Sequence, residues 1–310
     1  MIEEILERSN LRRAFARVEE NHGCRGADGM TVGQFAADLE WELDRLQDRL
    51  LRRRYRPFPL LQIAIPKKSG GERLLRIPTV RDRVAQTAVD LVARPIFEAE
   101  FEDCSYAFRQ GRSVRDAVRK VCELREQGFR WLLDADIDDC FGSIPYERLL
   151  DRLRRLDLDD YVLFLFESWV RAEVYDGRRL FTPERGLPQG SVVSPLLANL
   201  FLDELDESFI LFEQVIVRYS DDFLILCRDE KRAEGALEVT DALLDGLGLT
   251  LQREKTAISS FDRGFKFLGA LFVGDEVYVP VPQSRGEETA HLALPRPLDL
   301  WAYLELKAVE

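Results

Sequence analysis

Apolar positions recur with helical spacing over residues 3–20 and 32–54, which predicts two amphipathic helices joined by the glycine-rich stretch HGCRGADGM. The segment LQIAIPKKSGGERLLRIP alternates instead, and Ser69-Gly70-Gly71 at its middle makes it a β-hairpin. Helical spacing returns in VRDRVAQTAVDLVARPIFEAEF and SVRDAVRKVCELREQG, then come a strand at WLLDADI and helices at YERLLDRLRRL and DYVLFLFESWV. Asp176-Gly177 in EVYDGRRLF is a hairpin signal. In GLPQGSVVSPLLANLFLDELDESF a Gly/Pro loop enters a helix, with Ser194 placed as N-cap and Pro195 as first helical residue. The remaining pattern predicts a strand pair at VIVRYSDDFLIL, a helix at ALEVTDALLDGLGL ending near Gly246 or Gly248, and a strand at FKFLGALFV. This is a mixed α and β protein without internal repeats.

One strand breaks its own pattern. In VIVRYSDDFLILC, Asp221 and Asp222 interrupt a run of β-branched and aromatic residues. Aspartate is depleted in strands, and a buried unpaired carboxylate either neutralises itself or demands a cation. A second acidic strand, WLLDADIDD, places Asp134 and Asp136 on one face by its period of two. If the two strands are neighbours, three or four carboxylates converge. Hard oxygen ligands without histidine or cysteine favour Mg²⁺, and two such ions are the apparatus of phosphoryl transfer. The same residues also suit a polar hairpin turn and a solvent-facing strand edge, and spacing alone does not choose.

Composition narrows the chemistry. With 310 residues, 46% of them hydrophobic, the chain can bury a large core and divide into two or three subdomains. Its two histidines, His22 and His291, stand at opposite ends, which excludes His-ligated zinc and a Ser-His triad. Five cysteines without a C-x-x-C pair argue against a zinc site and a disulfide framework, and read as reduced core residues. There is no run of eighteen apolar residues and no signal peptide at MIEEILERSN, so a cytoplasmic protein without a membrane partner is expected. A net charge of −12 argues against a grip on many phosphates. The distribution counters the sum: basic residues cluster at RLLRRRYRP, PKKSGGERLLR and FRQGRSVRDAVRK, whereas acids spread through helices such as LFLDELDESF. Each basic run alone also suits a solvated helix face.

The order IPKKSGGERLLRIPTVRDRVAQ, SYAFRQGRS, DADIDDCFGSI, GLPQGSVVSPLLANLFLDELD, RYSDDFLIL, LGLTLQREKT and FKFLGALF resembles the fingers and palm of bacterial reverse transcriptases of the group II intron type, from about residue 10 to residue 275. LRRAFARVEENHGCRGADGMTVGQF is similar to that lineage's N-terminal extension. The resemblance implies an α+β fold, a right-hand polymerase with an antiparallel palm sheet backed by helices. It implies an N-terminal helical extension over 1–58, fingers over 59–130, and a palm over 131–272 with a fingers-like insertion at about 147–185; the chain departs from the family over 273–310, which reads as a Pro-punctuated linker and a C-terminal helix with Leu298, Trp301 and Leu304 on one face, without a complete thumb.

Residue by residue, the resemblance implies that Asp136, Asp221 and Asp222 hold two Mg²⁺ ions, with Mn²⁺ as a substitute, and that Lys255 stands by the departing pyrophosphate. Asp134 is only a neighbour. Lys67 and Arg73 match the residues that bind the incoming dNTP, Gln189 lies in the loop beside the nucleotide, and Phe141, next to the same motif as Ile137, matches the steric gate against ribose. Phe267, Leu268 and Gly269 match the primer grip. The implied partners are an RNA template, a DNA or RNA primer, and an integrase of a CRISPR adaptation system or another defence partner supplying thumb-like contacts, since only about 35 residues follow the primer-grip strand. Two other readings stay open: a non-polymerising, maturase-like RNA scaffold, and a fragment of an intron-encoded protein. An RNA-dependent RNA polymerase is opposed by Phe141. The sequence departs from the family pattern at Ser220, where alanine is usual, at Cys140 in place of an aromatic residue, and at Gly142-Ser143 in place of Asp-Asn.

Overall fold

The computed structural model describes residues 1–66, 70–279, 294–299 and 303. Its residues cluster into two units interleaved along the chain, one of residues 1–97, 146–194 and 291–310, the other of residues 98–145 and 195–290. The expected insertion at about 147–185 therefore groups with the N-terminal residues. Residues 98–130 group with residues 131–145.

In the first unit, each of the two leading helices is broken in two. Ile2–Leu6 and Arg8–Glu20 part at Glu7, whose ψ of 133° is extended, and the buried Asn10 side chain donates to the Ile5 carbonyl left behind. Val32–Ala37 and Leu39–Leu51 part at Asp38. A reciprocal capping box between Thr31 and Gln34 starts the second pair. Neither break carries glycine or proline, so the helical spacing runs through both.

The sheet of this unit has the order β2-β1-β4-β5. β1 (Leu60–Pro66) and β2 (Glu72–Ile77) form the expected hairpin, in register from Leu61 opposite Ile77 to Pro66 opposite Glu72. β4 (Val174–Tyr175) runs parallel to β1 and turns into β5 (Leu180–Phe181), and Asp176 Oδ1 accepts from the amides of Arg178 and Arg179 across that turn. The helix Val80–Glu100 is buried through its first three turns. Its Asp82 is tolerable there because every lone pair is used: Tyr55 Oη at 2.7 Å, Thr79 Oγ1 at 2.7 Å, the Phe58 amide at 2.9 Å, and the Arg81 guanidinium.

Gln86, one turn further on, is 1% exposed and reaches the Gly/Pro loop. Its Oε1 accepts from Ser191 Oγ and from the Val192 amide, both at 3.0 Å. On the other side of the loop, the Gln189 carbonyl accepts from the Arg76 amide of β2 at 2.7 Å. Ser194 does not act as expected: the helix Ser194–Leu211 begins on it, and its hydroxyl donates to the Pro188 carbonyl at 2.8 Å.

The second unit has a four-stranded antiparallel sheet of order β6-β7-β3-β8, from β3 (Trp131–Asp136), β6 (Val215–Tyr219), β7 (Asp222–Cys227) and β8 (Ala257–Ser260). The helix Glu230–Leu247 packs on β3, β7 and β8, capped by Asp229 at one end and by Gly248 in the left-handed conformation at the other. On the opposite face, Leu132, Val217, Leu224 and Leu226 share a core with Val118 and Val121 of the helix Val114–Glu126.

FKFLGALFV is not one strand. It folds back as β9 (Phe265–Phe267) and β10 (Ala270–Val273) about Leu268 (φ +50°) and Gly269 (φ +83°), the two positive φ angles that a tight hairpin turn needs. β11 (Glu276–Tyr278) adds a third strand. Of the expected C-terminal helix, Trp301 and Leu304 lie outside the described residues. Leu298 is in neither helix nor strand, and its amide donates to the Ala27 carbonyl. Among the described residues no helix is long and apolar enough to cross a membrane.

Replacing Gln86 by leucine removes the acceptor while leaving the Ser191 hydroxyl and Val192 amide without it. We expect Gln86→Leu to lower unfolding stability by about 1–3 kcal/mol and to open the 186–193 loop to proteolysis. Denaturant titration and limited proteolysis check this, and a wild-type midpoint and cleavage pattern would contradict it.

Candidate active site

The antiparallel register of β3 and β7 sets Asp136 directly opposite Asp222, and Asp134 opposite Leu224. Residues paired in this way share a face. The face is apolar at one end, where Leu132, Leu224 and Leu226 enter the core, and acidic at the other, where Asp134, Asp136 and Asp222 stand. The Ser220-Asp221 tip joins β6 to β7, with Tyr219 opposite Asp222 and Ser220 at φ +64°. Asp221 is tied in by its carbonyl, which accepts from the Ile137 amide at 3.3 Å. The two acidic strands are thus neighbours: Asp134, Asp136 and Asp222 lie at one end of one sheet face, with Asp221 beside them at the tip.

Their protonation records the crowding. Asp222 is pushed up to about 7, first by burial, then by Asp134, Asp136 and Asp221. Asp134 rises to about 6 by burial and by Asp136. Asp136 is also raised, by burial, with Lys255 opposing. Lys255 Nζ sits 3.0 Å from Asp136 Oδ2. It is delivered by backbone pairing past the end of β3: the Gln252 amide donates to the Asp136 carbonyl, and the Asp138 amide to the Thr250 carbonyl. Among the described residues one exposed lysine, Lys255, stands against these carboxylates and leaves negative charge uncompensated.

Hard oxygen donors with excess negative charge fit a divalent cation. As the side chains stand, no three His, Cys, Asp or Glu residues among the described residues are gathered at metal-ligand spacing. The carboxylates repel one another, and Lys255 opposes that repulsion at both Asp136 and Asp222.

Phe141 lies on the short helix Cys140–Ser143 after Asp139 and is partly exposed rather than a core residue. A Cβ at Gly142 beside it would stand 2.1 Å from Asp139 Oδ2, so any larger residue there requires the Asp139 carboxylate to move. Ile137 is 1% exposed, so only its backbone is available to a ligand. Phe267 is 2% exposed and anchors β9, while Leu268 and Gly269 form the turn at its end.

In the first unit, Arg73 is exposed on β2 opposite Ile65, and Gln189 is partly exposed, held to the same strand through Arg76. Lys67 lies outside the described residues. Asp136, Asp221, Asp222, Lys255 and Asp134 are thus brought together within one unit, and Arg73 and Gln189 within the other.

Solved structures share this fold. A telomerase from Candida tropicalis, truncated from its C-terminal domain, matches with a TM-score of 0.59 at 12% identity, covering 81% of this chain and 61% of that one. The fold is that of a right-hand polymerase palm, an antiparallel sheet backed by helices. Residues 65–272 match the family described as reverse transcriptase (RNA-dependent DNA polymerase), and the chain belongs to that family. Protein YkfC of Escherichia coli (strain K12) is 31% identical over 285 residues, covering 79% of this chain and 74% of its own length. The group II intron-encoded protein LtrA of Lactococcus lactis subsp. cremoris is 34% identical over 158 residues, which are 51% of this chain and 26% of that protein. The match thus spans most of YkfC but about a quarter of the intron-encoded relative.

In the unfolded chain these carboxyls lose their protons near pH 4. Folded, Asp134 and Asp222 keep theirs to about 6 and about 7. The native state therefore binds more protons across that window, and stability falls as pH rises through it. We expect the Tm of the metal-free protein to drop between about pH 5 and about pH 7.5, and the drop to shrink in Asp222→Asn. An equal slope in the variant would contradict the clustering.

Proposed function

We propose that the chain is an RNA-directed DNA polymerase that extends a primer 3′-hydroxyl with dNTPs on an RNA template. The observation that carries this is the Asp136–Asp222 pair, opposed across β3 and β7 beside Asp221, with Lys255 against Asp136. Asp136, Asp221 and Asp222 would hold two Mg²⁺ ions, for which Mn²⁺ could substitute; when bound, these supply a lowered pKa for the primer hydroxyl and compensation for the triphosphate charge.

The chain's own groups do the rest. Asp221 and Asp222 are carried on a two-residue tip and Asp136 on the strand beside it, so the donors are held by backbone pairing rather than by flexible loops. Lys255, exposed and already at carboxylate distance, can exchange Asp136 for a phosphate oxygen and give a proton to the pyrophosphate as it leaves. Lys67 and Arg73 are assigned to the triphosphate, where a guanidinium fork suits its oxygens. Phe141 is assigned to the sugar, with Ile137 contributing backbone only. Gln189 is assigned to the nucleotide side of the Gly/Pro loop, and Phe267, Leu268 and Gly269 to the primer strand.

The setting we propose, on the resemblance alone, is cytoplasmic and accessory to CRISPR adaptation or another phage-defence system. Co-purification of a partner integrase with the tagged chain from its host tests it; recovery of the chain alone would count against it.

Asp221→Asn and Asp222→Asn should each abolish dNTP incorporation on a primed RNA template while leaving the thermal transition intact or raised, because a buried like charge is removed. Full activity in both variants would end the metal assignment. Phe141→Ala should admit ribonucleotides, seen as a lower ratio of dNTP to rNTP kcat/KM. An unchanged ratio would take the gate away from Phe141.

A further inference from the structure

The sheet face opposite the aspartates carries a charge that the proposed chemistry does not use. Arg218, two residues before Ser220 in β6, is 0% exposed. Its guanidinium is fully occupied. Nε donates to Asp206 Oδ1 at 2.8 Å and Oδ2 at 3.0 Å, and Nη2 donates to Asp206 Oδ2 and to Ser105 Oγ, the latter at 2.9 Å. Nη1 donates to Asn199 Oδ1 at 3.1 Å and to the Ser220 carbonyl at 3.2 Å. Burial works against the positive charge, and the Asp206 carboxylate more than restores it.

Two of these acceptors, Asn199 and Asp206, come from one helix. Asn199, Asp203 and Asp206 stand at i, i+4 and i+7 on Ser194–Leu211, one face of it, and are 1%, 0% and 0% exposed. Besides Arg218, the stripe holds the 102–107 segment: Asp203 Oδ1 accepts from the Glu102 amide at 3.1 Å, and Asn199 Nδ2 donates to the Ala107 carbonyl at 2.7 Å. The Arg218 backbone completes the clamp, its amide donating to the Cys104 carbonyl and its carbonyl accepting from the Tyr106 amide.

A buried ion pair contributes little stability over a well-packed apolar replacement. What this one does besides is geometric. It grips the peptide after Ser220, a residue in the left-handed region that non-glycine residues rarely adopt and that must be held by its surroundings. Asp221 and Asp222 are the next two residues.

We propose that Arg218 is a positioning residue: locked by Asp206, Asn199 and Ser105, it fixes the Ser220 carbonyl from behind the sheet and so sets where Asp221 and Asp222 meet Asp136. This rests on the reading of those aspartates as the polymerase site. Arg218 touches no substrate, and its effect passes through the backbone of the tip.

The test uses the full chain on a primed RNA template, comparing wild type with R218K, the neutral pair R218M/D206L, and D222N, each below its measured Tm. Lysine keeps the charge against Asp206 but has no fork to span Ser105, Asn199 and Ser220 together. The neutral pair removes both buried charges at similar volume. The expected result is a kcat lower by about ten- to a hundredfold in both, a raised half-saturating Mg²⁺ concentration, and a dNTP KM within about twofold of wild type. A purely structural role would leave kcat and the Mg²⁺ requirement unchanged wherever the variant is folded, and that result overturns the proposal. Failure of both variants to fold overturns it as well, because the network would then serve stability before geometry. Wild type no more active than D222N would overturn the aspartate assignment itself, and the proposal with it.

Discussion

Like charges placed directly opposite each other on adjacent strands are destabilising, and burial in a sheet end makes them more so. This chain does so with Asp136 and Asp222, and adds Asp134 and Asp221 nearby. The rest of the second unit makes that placement hold. The apolar half of the same face, Leu132, Leu224 and Leu226, is sealed by the helix Val114–Glu126 and the three-stranded sheet. The other face is closed by the helices Glu230–Leu247 and Ser194–Leu211, Phe223 meeting Phe209 with ring centroids 6.1 Å apart. The strand ends cannot drift apart to relieve the repulsion, so a fold stable elsewhere imposes charge here.

The two faces divide the labour. Charge facing the acidic end is left largely unpaired, with Lys255 exposed and exchangeable. Charge on the reverse side, at Arg218 and Asp206, is paired without remainder and sealed from water. The contrast separates a site that must accept ligands from a brace that must not move. The first unit repeats the theme more quietly. Asp82 and Gln86 are buried and spend their acceptors on backbone and hydroxyl groups that hold the Gly/Pro loop and the strands around it.

Much of this was legible in the chain. Period-two spacing put Asp134 and Asp136 on one face, and the Ser69-Gly70-Gly71 and Asp176-Gly177 signals marked real hairpins. That β3 neighbours β7 could not be read from spacing, because strand adjacency is a property of the whole fold. The break at Glu7 carries no helix-stopping residue, and the Leu268-Gly269 turn lacks the Asn or Asp that usually announces one. The buried stripe Asn199, Asp203, Asp206 did leave a signal, polar residues at helical spacing within an apolar helix, facing a lone arginine in VIVRYSDD. Acidic residues on a helix ordinarily mean solvent, and only the partner on another element reverses that reading.

The account stands on the claim that the carboxylate end of this sheet is built for divalent cations. It is tested most directly by a crystal structure of the chain with Mn²⁺ and a non-hydrolysable dNTP, read by anomalous scattering. The predicted result is two metal peaks held by Asp136, Asp221 and Asp222, with Lys255 withdrawn from Asp136 toward the phosphates. Nucleotide bound without metal at these aspartates, and Lys255 still paired with Asp136, would contradict it.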